Sequence, residues 1–294
     1  MRTRLHRFWK LWCEFWFDSY SPATLRLFRV ALAGMLFVYY GIRTFDLELF
    51  FSSTGIMPLS AINDVIEMKY RHSLLFYFTS NGALWFFHVF YLASLAALVF
   101  GFWPRAAAII AYVLHVSFMH RNMAPSYGVD LISTFFLFYF CFASYRPKET
   151  LSEFTKSMGS MAYRLMQIQV CIIYAYSGLD KVKGMPWWHG EALWTVVANA
   201  QIARFDFTYM AHFPLVIIAL TYMTLAWEIY FPVLVWLKPV RNFVLIFGVL
   251  THIGIAIVIN IPFFGMLMIL TYILFLDKNL INKLDFKVRK FVRI

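Results

Sequence analysis

The stretch Ala83-Leu-Trp-Phe-Phe-His-Val-Phe-Tyr-Leu-Ala-Ser-Leu-Ala-Ala-Leu-Val-Phe-Gly-Phe-Trp103 decides the class of fold. It contains no Asp, Glu, Lys or Arg, and it has the ~20 residues that a helix needs to cross the hydrocarbon core of a bilayer. Working outward, seven more apolar stretches are read as helices: Leu25–Ile42, Ala106–Met119, Val129–Tyr145, Tyr163–Leu179, Phe213–Leu237, Val240–Ile261 and Phe263–Leu276. The second and last of these seven are short for a span. The whole chain agrees with this pattern. Of 294 residues, 62% are hydrophobic and 14% charged, against about 25% charged in a soluble domain. That excludes a soluble globular protein, a disordered chain and a collagen-like chain. Phe, Trp and Tyr make up 20%, which suits aromatic belts at two membrane interfaces.

The net charge of +11 would raise nucleic acid as a partner in a soluble chain. Here topology accounts for it. Eight spans put both termini on one side, and that side then carries 19 of the 26 Lys and Arg residues, from Arg2, Arg4, Arg7 and Lys10 to the six of the tail beyond Asp277. Basic residues concentrate in cytoplasmic loops, so both termini are expected in the cytoplasm, and no nucleic-acid partner is implied. The largest external segments are then 43–82 and 180–212, within which Ser60–Tyr77 reads as a more polar, interfacial helix.

Residues 1–20, MRTRLHRFWKLWCEFWFDSY, interleave basic and aromatic residues. They lack the apolar core and cleavage site of a signal peptide, and they read as an amphipathic helix lying on the membrane surface. Residues 25–277 form the bundle and 278–294 a basic cytoplasmic tail, all in one domain. Cys13, Cys141 and Cys171 form no CxxC pair, so they indicate neither a disulfide framework nor a metal site. No GxGxxG, Walker-type loop, HExxH or GxSxG is present. His115 and His120 are five apart and do not share a helix face well, so no metal centre is expected.

The segment with most chemical content is Tyr174-Ala-Tyr-Ser-Gly-Leu-Asp-Lys-Val-Lys-Gly-Met-Pro-Trp-Trp-His-Gly-Glu-Ala-Leu-Trp194. Tyr174, Gly178 and Lys181 fall at i, i+4 and i+7, on one helix face. Gly178 permits close helix packing beside the lysine. A lysine held there and desolvated can serve as a general base. The same position also suits a lysine that snorkels to mark the interface. Trp187, Trp188 and Trp194 read as interface anchors, with ligand stacking as the alternative. His189, Glu191 and His212 lie on the same external side and are candidates to assist proton transfer.

A second pair comes from counting. Lys238-Pro-Val-Arg241 makes a tight turn between two apolar stretches, which are therefore adjacent and antiparallel. Glu228 lies ten residues before the turn and His252 eleven after it. Each is roughly 15–16 Å from the cytoplasmic end at ~1.5 Å per residue. Ionisable residues at mid-bilayer depth are costly and point to function, usually with a partner. Glu228 and His252 are thus predicted to face the interior and approach each other, as a proton-handling pair or as a hydrogen bond that fixes register. Asp130, at the outer start of its span, is expected to pair with Arg121 or to line an outward pocket.

The segment 174–194, with Trp227-Glu-Ile-Tyr-Phe-Pro232, Thr251-His-Ile-Gly-Ile-Ala256, Tyr272-Ile-Leu-Phe-Leu-Asp277, His120-Arg-Asn122 and Gly128-Val-Asp130, resembles the vitamin K-dependent γ-carboxylase-like membrane proteins of the HTTM family. The resemblance covers nearly the whole chain. It implies that Lys181 matches the lysine that deprotonates vitamin K hydroquinone. The oxygen adduct of that hydroquinone abstracts a glutamyl γ-proton, and carbon dioxide is then added. The family's motif has two adjacent lysines where this chain has Asp180-Lys181. With the sequence ending at residue 294, the large lumenal region that holds a substrate propeptide is expected to be missing. Some bacterial relatives act in the maturation of secreted peptides.

The expectation is therefore an all-α, polytopic membrane bundle of about eight transmembrane helices plus an N-terminal interfacial helix. Its function is that of an HTTM-type enzyme acting at the outer face on a peptide or a quinone-like compound, with Lys181 as base and Glu228, His252 and Asp130 in support. The alternative is a non-enzymatic accessory or transport protein for a secreted peptide, with Glu228 and His252 as a structural or relay pair. Inverted repeats, common in transporters, are not seen in the sequence.

Overall fold

Helices form wherever apolar runs are long enough and are cut where Pro and Gly fall. The computed structural model describes residues 2–19, 21–65, 67, 69, 71–143, 145 and 151–290, with only the backbone described for 2, 3, 5 and 63–65. Arg146, Lys148 and Arg293 of the charge count lie outside the described residues, as do parts of the segments 60–77 and 129–145. All regular structure among the described residues is helical. The α-helices are α1 (Arg2–Phe17), α2 (Pro22–Arg43), α3 (Leu47–Phe51), α4 (Leu59–Val65), α5 (Asn81–Phe100), α6 (Pro104–Arg121), α7 (Gly128–Phe142), α8 (Glu153–Val182), α9 (Met185–Trp188), α10 (Ala192–Val197), α11 (Pro214–Leu234), α12 (Lys238–Val258), α13 (Pro262–Thr271) and α14 (Lys278–Arg289).

The starts are chemically marked. Proline occupies the first turn of α2, α6, α11, α12 and α13, where its missing N–H costs nothing and its fixed φ fits the helix. Ser80 caps α5 by accepting from the Ala83 amide at 3.2 Å, and Gly101 ends it with φ +81°, a left-handed cap that favours glycine.

A helix lies at each of the eight expected positions, but not every one is a free-standing span. Four are long and apolar enough to cross a membrane: Pro22–Phe51, Asn81–Phe100, Pro214–Leu234 and Lys238–Val258. A fifth is added if the broken pair Pro262–Phe275 and Lys278–Arg289 is one span. The others fall short for identifiable reasons. α7 has only 15 residues. α6 carries Arg105, His115, His120 and Arg121, and α8 carries Gln167, Gln169 and several tyrosines among its apolar residues.

The internal contacts divide the chain into two compact units. The first comprises residues 1–166 and 277–294, the second residues 167–276. In the first, α2 packs on α5 and α14, and α5, α6 and α7 pack in series. Its core is aromatic, with Phe28 edge-on to Phe136 at 5.0 Å and Tyr40 edge-on to Tyr91 at 4.7 Å. In the second, α12 packs on α13 and on α11, around buried Phe231, Leu267 and Tyr272.

The first unit also buries two arginines from the first two turns of α2. Arg26 is buried and grips Asp285 of α14 in a two-pronged pair, Nε to Oδ1 at 2.6 Å and Nη2 to Oδ2 at 2.7 Å. Its remaining nitrogen donates to the Tyr145 carbonyl at 3.0 Å. Arg29 is buried with its guanidinium 4.5 Å over the Tyr145 ring.

Candidate functional site

The second unit holds three of the four residues singled out by sequence, and the spacing of α8 explains how. Tyr174, Ser177, Gly178 and Lys181 share one face of that helix. A Cβ added at Gly178 would stand 3.0 Å from Ile229 Cγ1 and 3.1 Å from the Ile229 backbone nitrogen. Glycine is therefore what lets α8 approach the backbone of α11 at Glu228 and Ile229.

That approach decides the fate of the lysine. Helical side chains lean toward the N-terminus of their helix, so the Lys181 stem turns back along α8. Its Nζ donates to Ser177 Oγ at 2.6 Å and stands 2.8 Å from Glu228 Oε2. The latter contact is an ion pair whose angles fall outside hydrogen-bond geometry. The two side chains are 25% and 11% exposed. The turn at Lys183-Gly184 brings α9 back, and the Trp187 ring lies 5.4 Å from the ammonium. Lys181 is thus neither a free snorkelling lysine nor a sealed one. It is a half-buried cation with a carboxylate, a hydroxyl and an indole around it.

His252 is buried and turned inward, as is Glu228, but the direct contact predicted between them is not formed. Glu228 is taken by Lys181, and His252 Nε2 lies 2.7 Å from Tyr174 Oη. The count from the turn placed the two residues at equal depth on neighbouring helices. It could not show that α8 supplies both partners. Tyr174 Oη also lies 2.6 Å from Tyr272 Oη, which makes a chain of three polar groups inside a wall formed by Trp227, Phe231 and Phe264. Gly248 makes room for it, since a Cβ there would collide with Tyr272 Oη and come within 2.6 Å of Trp227 Cζ2. The far nitrogen of His252, Nδ1, is buried with no hydrogen-bond partner.

Asp130 belongs to the first unit, and its partner is not Arg121. At the third residue of α7 it accepts from the Tyr127 amide at 3.1 Å, as acidic residues do in a capping box. Its two oxygens also accept from Tyr40 Oη at 2.8 Å, Tyr39 Oη at 3.0 Å, Arg43 Nη1 at 3.0 Å and Arg43 Nη2 at 3.2 Å. Its backbone carbonyl lies 2.8 Å from His115 Nε2, whose other nitrogen lies 2.7 Å from Tyr91 Oη. The carboxylate is fully buried. Arg121 donates instead to the carbonyls of Met57 and Ser52. Arg43 sits one helical turn beyond Tyr39, so α2 delivers three donor side chains to Asp130 together. The Tyr39-Tyr40-x-x-Arg43 spacing was the signal that the sequence reading missed.

The remaining candidates are exposed: His189, Glu191 and His212 make no hydrogen bond or ion pair to Lys181. Trp188 donates to the Val182 carbonyl at 2.6 Å, which ties α9 to the end of α8. Among the described residues no three His, Cys, Asp or Glu side chains are grouped to hold a metal ion. No protein-family model, curated protein or solved structure matches this sequence.

Proposed function

We propose that this chain is a multi-pass membrane enzyme of the HTTM type, with eight spans, both termini cytoplasmic and α1 lying along the interface. It acts at the outer face on a peptide or a quinone-like compound. The observation that carries the reading is the Lys181–Glu228 couple: a charged pair on a tight helix contact, 25% and 11% exposed, beside an indole face.

The residues fit an aromatic or hydroxylic substrate. The Trp187 ring offers a flat apolar wall and Lys181 Nζ a polar contact beside it. A hydroquinone-like compound bound there would supply an ionisable hydroxyl. Substrate that displaces water leaves the ion pair unsolvated, which is costly for both charges. Passing the proton from Lys181 Nζ to Glu228 Oε2, once substrate brings the 2.8 Å contact into line for a hydrogen bond, removes both charges. The neutral amine is then the base, Ser177 Oγ orients it, and Glu228 holds the proton. His252 acts at one remove, by fixing Tyr174 on the same face of α8. Asp130, saturated by its own partners, serves the scaffold. A relay running directly from Glu228 to His252 has no contact to run on.

The test is to purify the protein with its native lipids and identify any quinone-like compound it retains, comparing wild type with Lys181→Ala and Glu228→Gln. Loss of the retained compound, and of cellular function in a deletion background, is expected in both variants. Full function in Lys181→Ala would overturn the assignment.

A further inference from the structure

Helix α14 starts at Lys278, two residues after the last apolar stretch ends at Leu276. It has 12 residues, or about 18 Å. Only one side of it is engaged. Ile281 and Asp285 are buried, and Asp285 is shared between Arg26 and Arg289, the latter donating at 2.8 Å. Asp285 is the only carboxylate in the helix, and it is fully used.

The other side is both apolar and basic. Leu280, Leu284 and Phe286 are exposed, Phe286 to 65%, and Lys283, Lys287 and Lys290 stand among them lining one shallow depression. Lys290 Nζ lies 5.2 Å from the Phe286 ring. At 3.6 residues per turn the three lysines fall in one narrow stripe, flanked by Phe286 on one side and by Leu280 and Leu284 on the other. Whatever covers this face must therefore present anionic and apolar groups within one side chain's reach of each other. Lysine stems can lie along an apolar surface while the ammonium reaches outward.

We propose that this face of α14 is a binding surface for anionic phospholipid. Leu280, Leu284 and Phe286 enter the headgroup–acyl boundary, and Lys283, Lys287 and Lys290 pair with headgroup phosphates. A bilayer is favoured over an acidic protein because α14 follows the apolar stretch ending at Leu276 with no linker, which keeps its first turn within two residues of that stretch. Such a helix, amphipathic with basic residues beside its apolar ones, is the kind that lies in an interface.

The test uses the full chain in nanodiscs of phosphatidylcholine alone or of phosphatidylcholine mixed with phosphatidylglycerol, read by amide hydrogen exchange across 278–290. Exchange of α14 is expected to slow at least about tenfold in the anionic discs, to be restored by high salt, and to lose the difference in the Lys283→Gln/Lys287→Gln/Lys290→Gln variant. Leu284→Gln/Phe286→Gln should lose protection in both discs. Equal exchange in the two lipids overturns the proposal, and so does anionic-lipid protection that survives the lysine variant. Protection produced by inorganic phosphate in zwitterionic discs would assign the lysines to a free anion instead of a bilayer. These outcomes do not depend on Lys181.

Discussion

Asp130 in the first unit receives five hydrogen bonds on its carboxylate, whereas Glu228 in the second meets one lysine at an angle that makes an ion pair without a hydrogen bond. Both carboxylates belong to helices read as membrane-spanning, and both have a cationic partner. The difference lies in saturation. Every lone pair that Asp130 presents is answered by a group that is itself buried or anchored, so nothing is left to exchange with a substrate. The Lys181–Glu228 couple keeps open positions and partial access. A buried charge in a membrane protein is thus better sorted by what remains unpaired around it than by its presence alone.

The largest effect separates these two sites. Asp130→Ala takes the counter-charge from Arg43, the acceptor from two tyrosine hydroxyls and the cap from the start of α7. Breaking a buried pair in this way costs about 3–5 kcal/mol. Thermal unfolding in detergent should show it, with Asp130→Asn losing less because an acceptor remains. The paired change Lys181→Gln/Glu228→Gln should move stability by ~1 kcal/mol or less while abolishing function. Equal destabilisation at the two sites would break the distinction.

Asp285 offers a third carboxylate, saturated like Asp130 but outside the apolar stretches. Burial pushes its pKa up, but the hydrogen bonds from Arg26 and Arg289 outweigh burial and hold it below its ordinary value. A depressed carboxylate contributes stability that is present above its unfolded pKa, about 3.9, and is lost as pH falls through the folded one. Acid below about pH 4 should therefore release α14 from α2, and limited proteolysis of 278–290 over a pH series would record it. Asp285→Asn should remove the acid step and leave the helix weakly held at every pH; an unchanged acid profile in that variant would assign the step to another group.

Gly178→Ala tests whether the open couple depends on close helix approach. The new methyl would meet backbone as well as side chain of Ile229, so the helices must part. Overpacking of this sort costs about 1–3 kcal/mol. The informative readout is function, which should fall further than stability does, because a shift of α8 separates Lys181 from Glu228.

The sequence disclosed what depends on local spacing. The helices, their proline starts, the shared face of Tyr174, Gly178 and Lys181, and the inward turn of Glu228 and His252 all follow from periodicity and chain position. Pairing between distant elements did not follow. Asp130 and Arg43 are 87 residues apart, and Arg26 and Asp285 are 259 apart. Charge counting assigned Arg26 and Arg29 to the cytoplasmic rim, because a count cannot distinguish an arginine that orients a loop from one buried inside. Glu228 was matched to the wrong partner because two helices joined by a tight turn are visible in sequence, whereas the third helix wedged against them is not.

His252 gives the smallest expected change. His252→Phe keeps an aromatic ring in the wall of Trp227, Phe264 and Tyr272 and gives up the contact with Tyr174, which retains Tyr272 at 2.6 Å. A hydrogen bond between helices in a membrane averages about 0.6 kcal/mol. Against that loss stands the removal of Nδ1, a buried nitrogen with no partner, whose desolvation burdens the folded state. The two effects have opposite sign and similar size, so stability should stay within about 1 kcal/mol of wild type. The variant therefore isolates function from folding. If it is inactive while its melting temperature is unchanged, His252 steadies Tyr174 for the chemistry on α8, and His252→Gln should restore part of the activity. If it is fully active, the three-group chain is packing, and the working part of the second unit contracts to Lys181, Glu228 and Ser177.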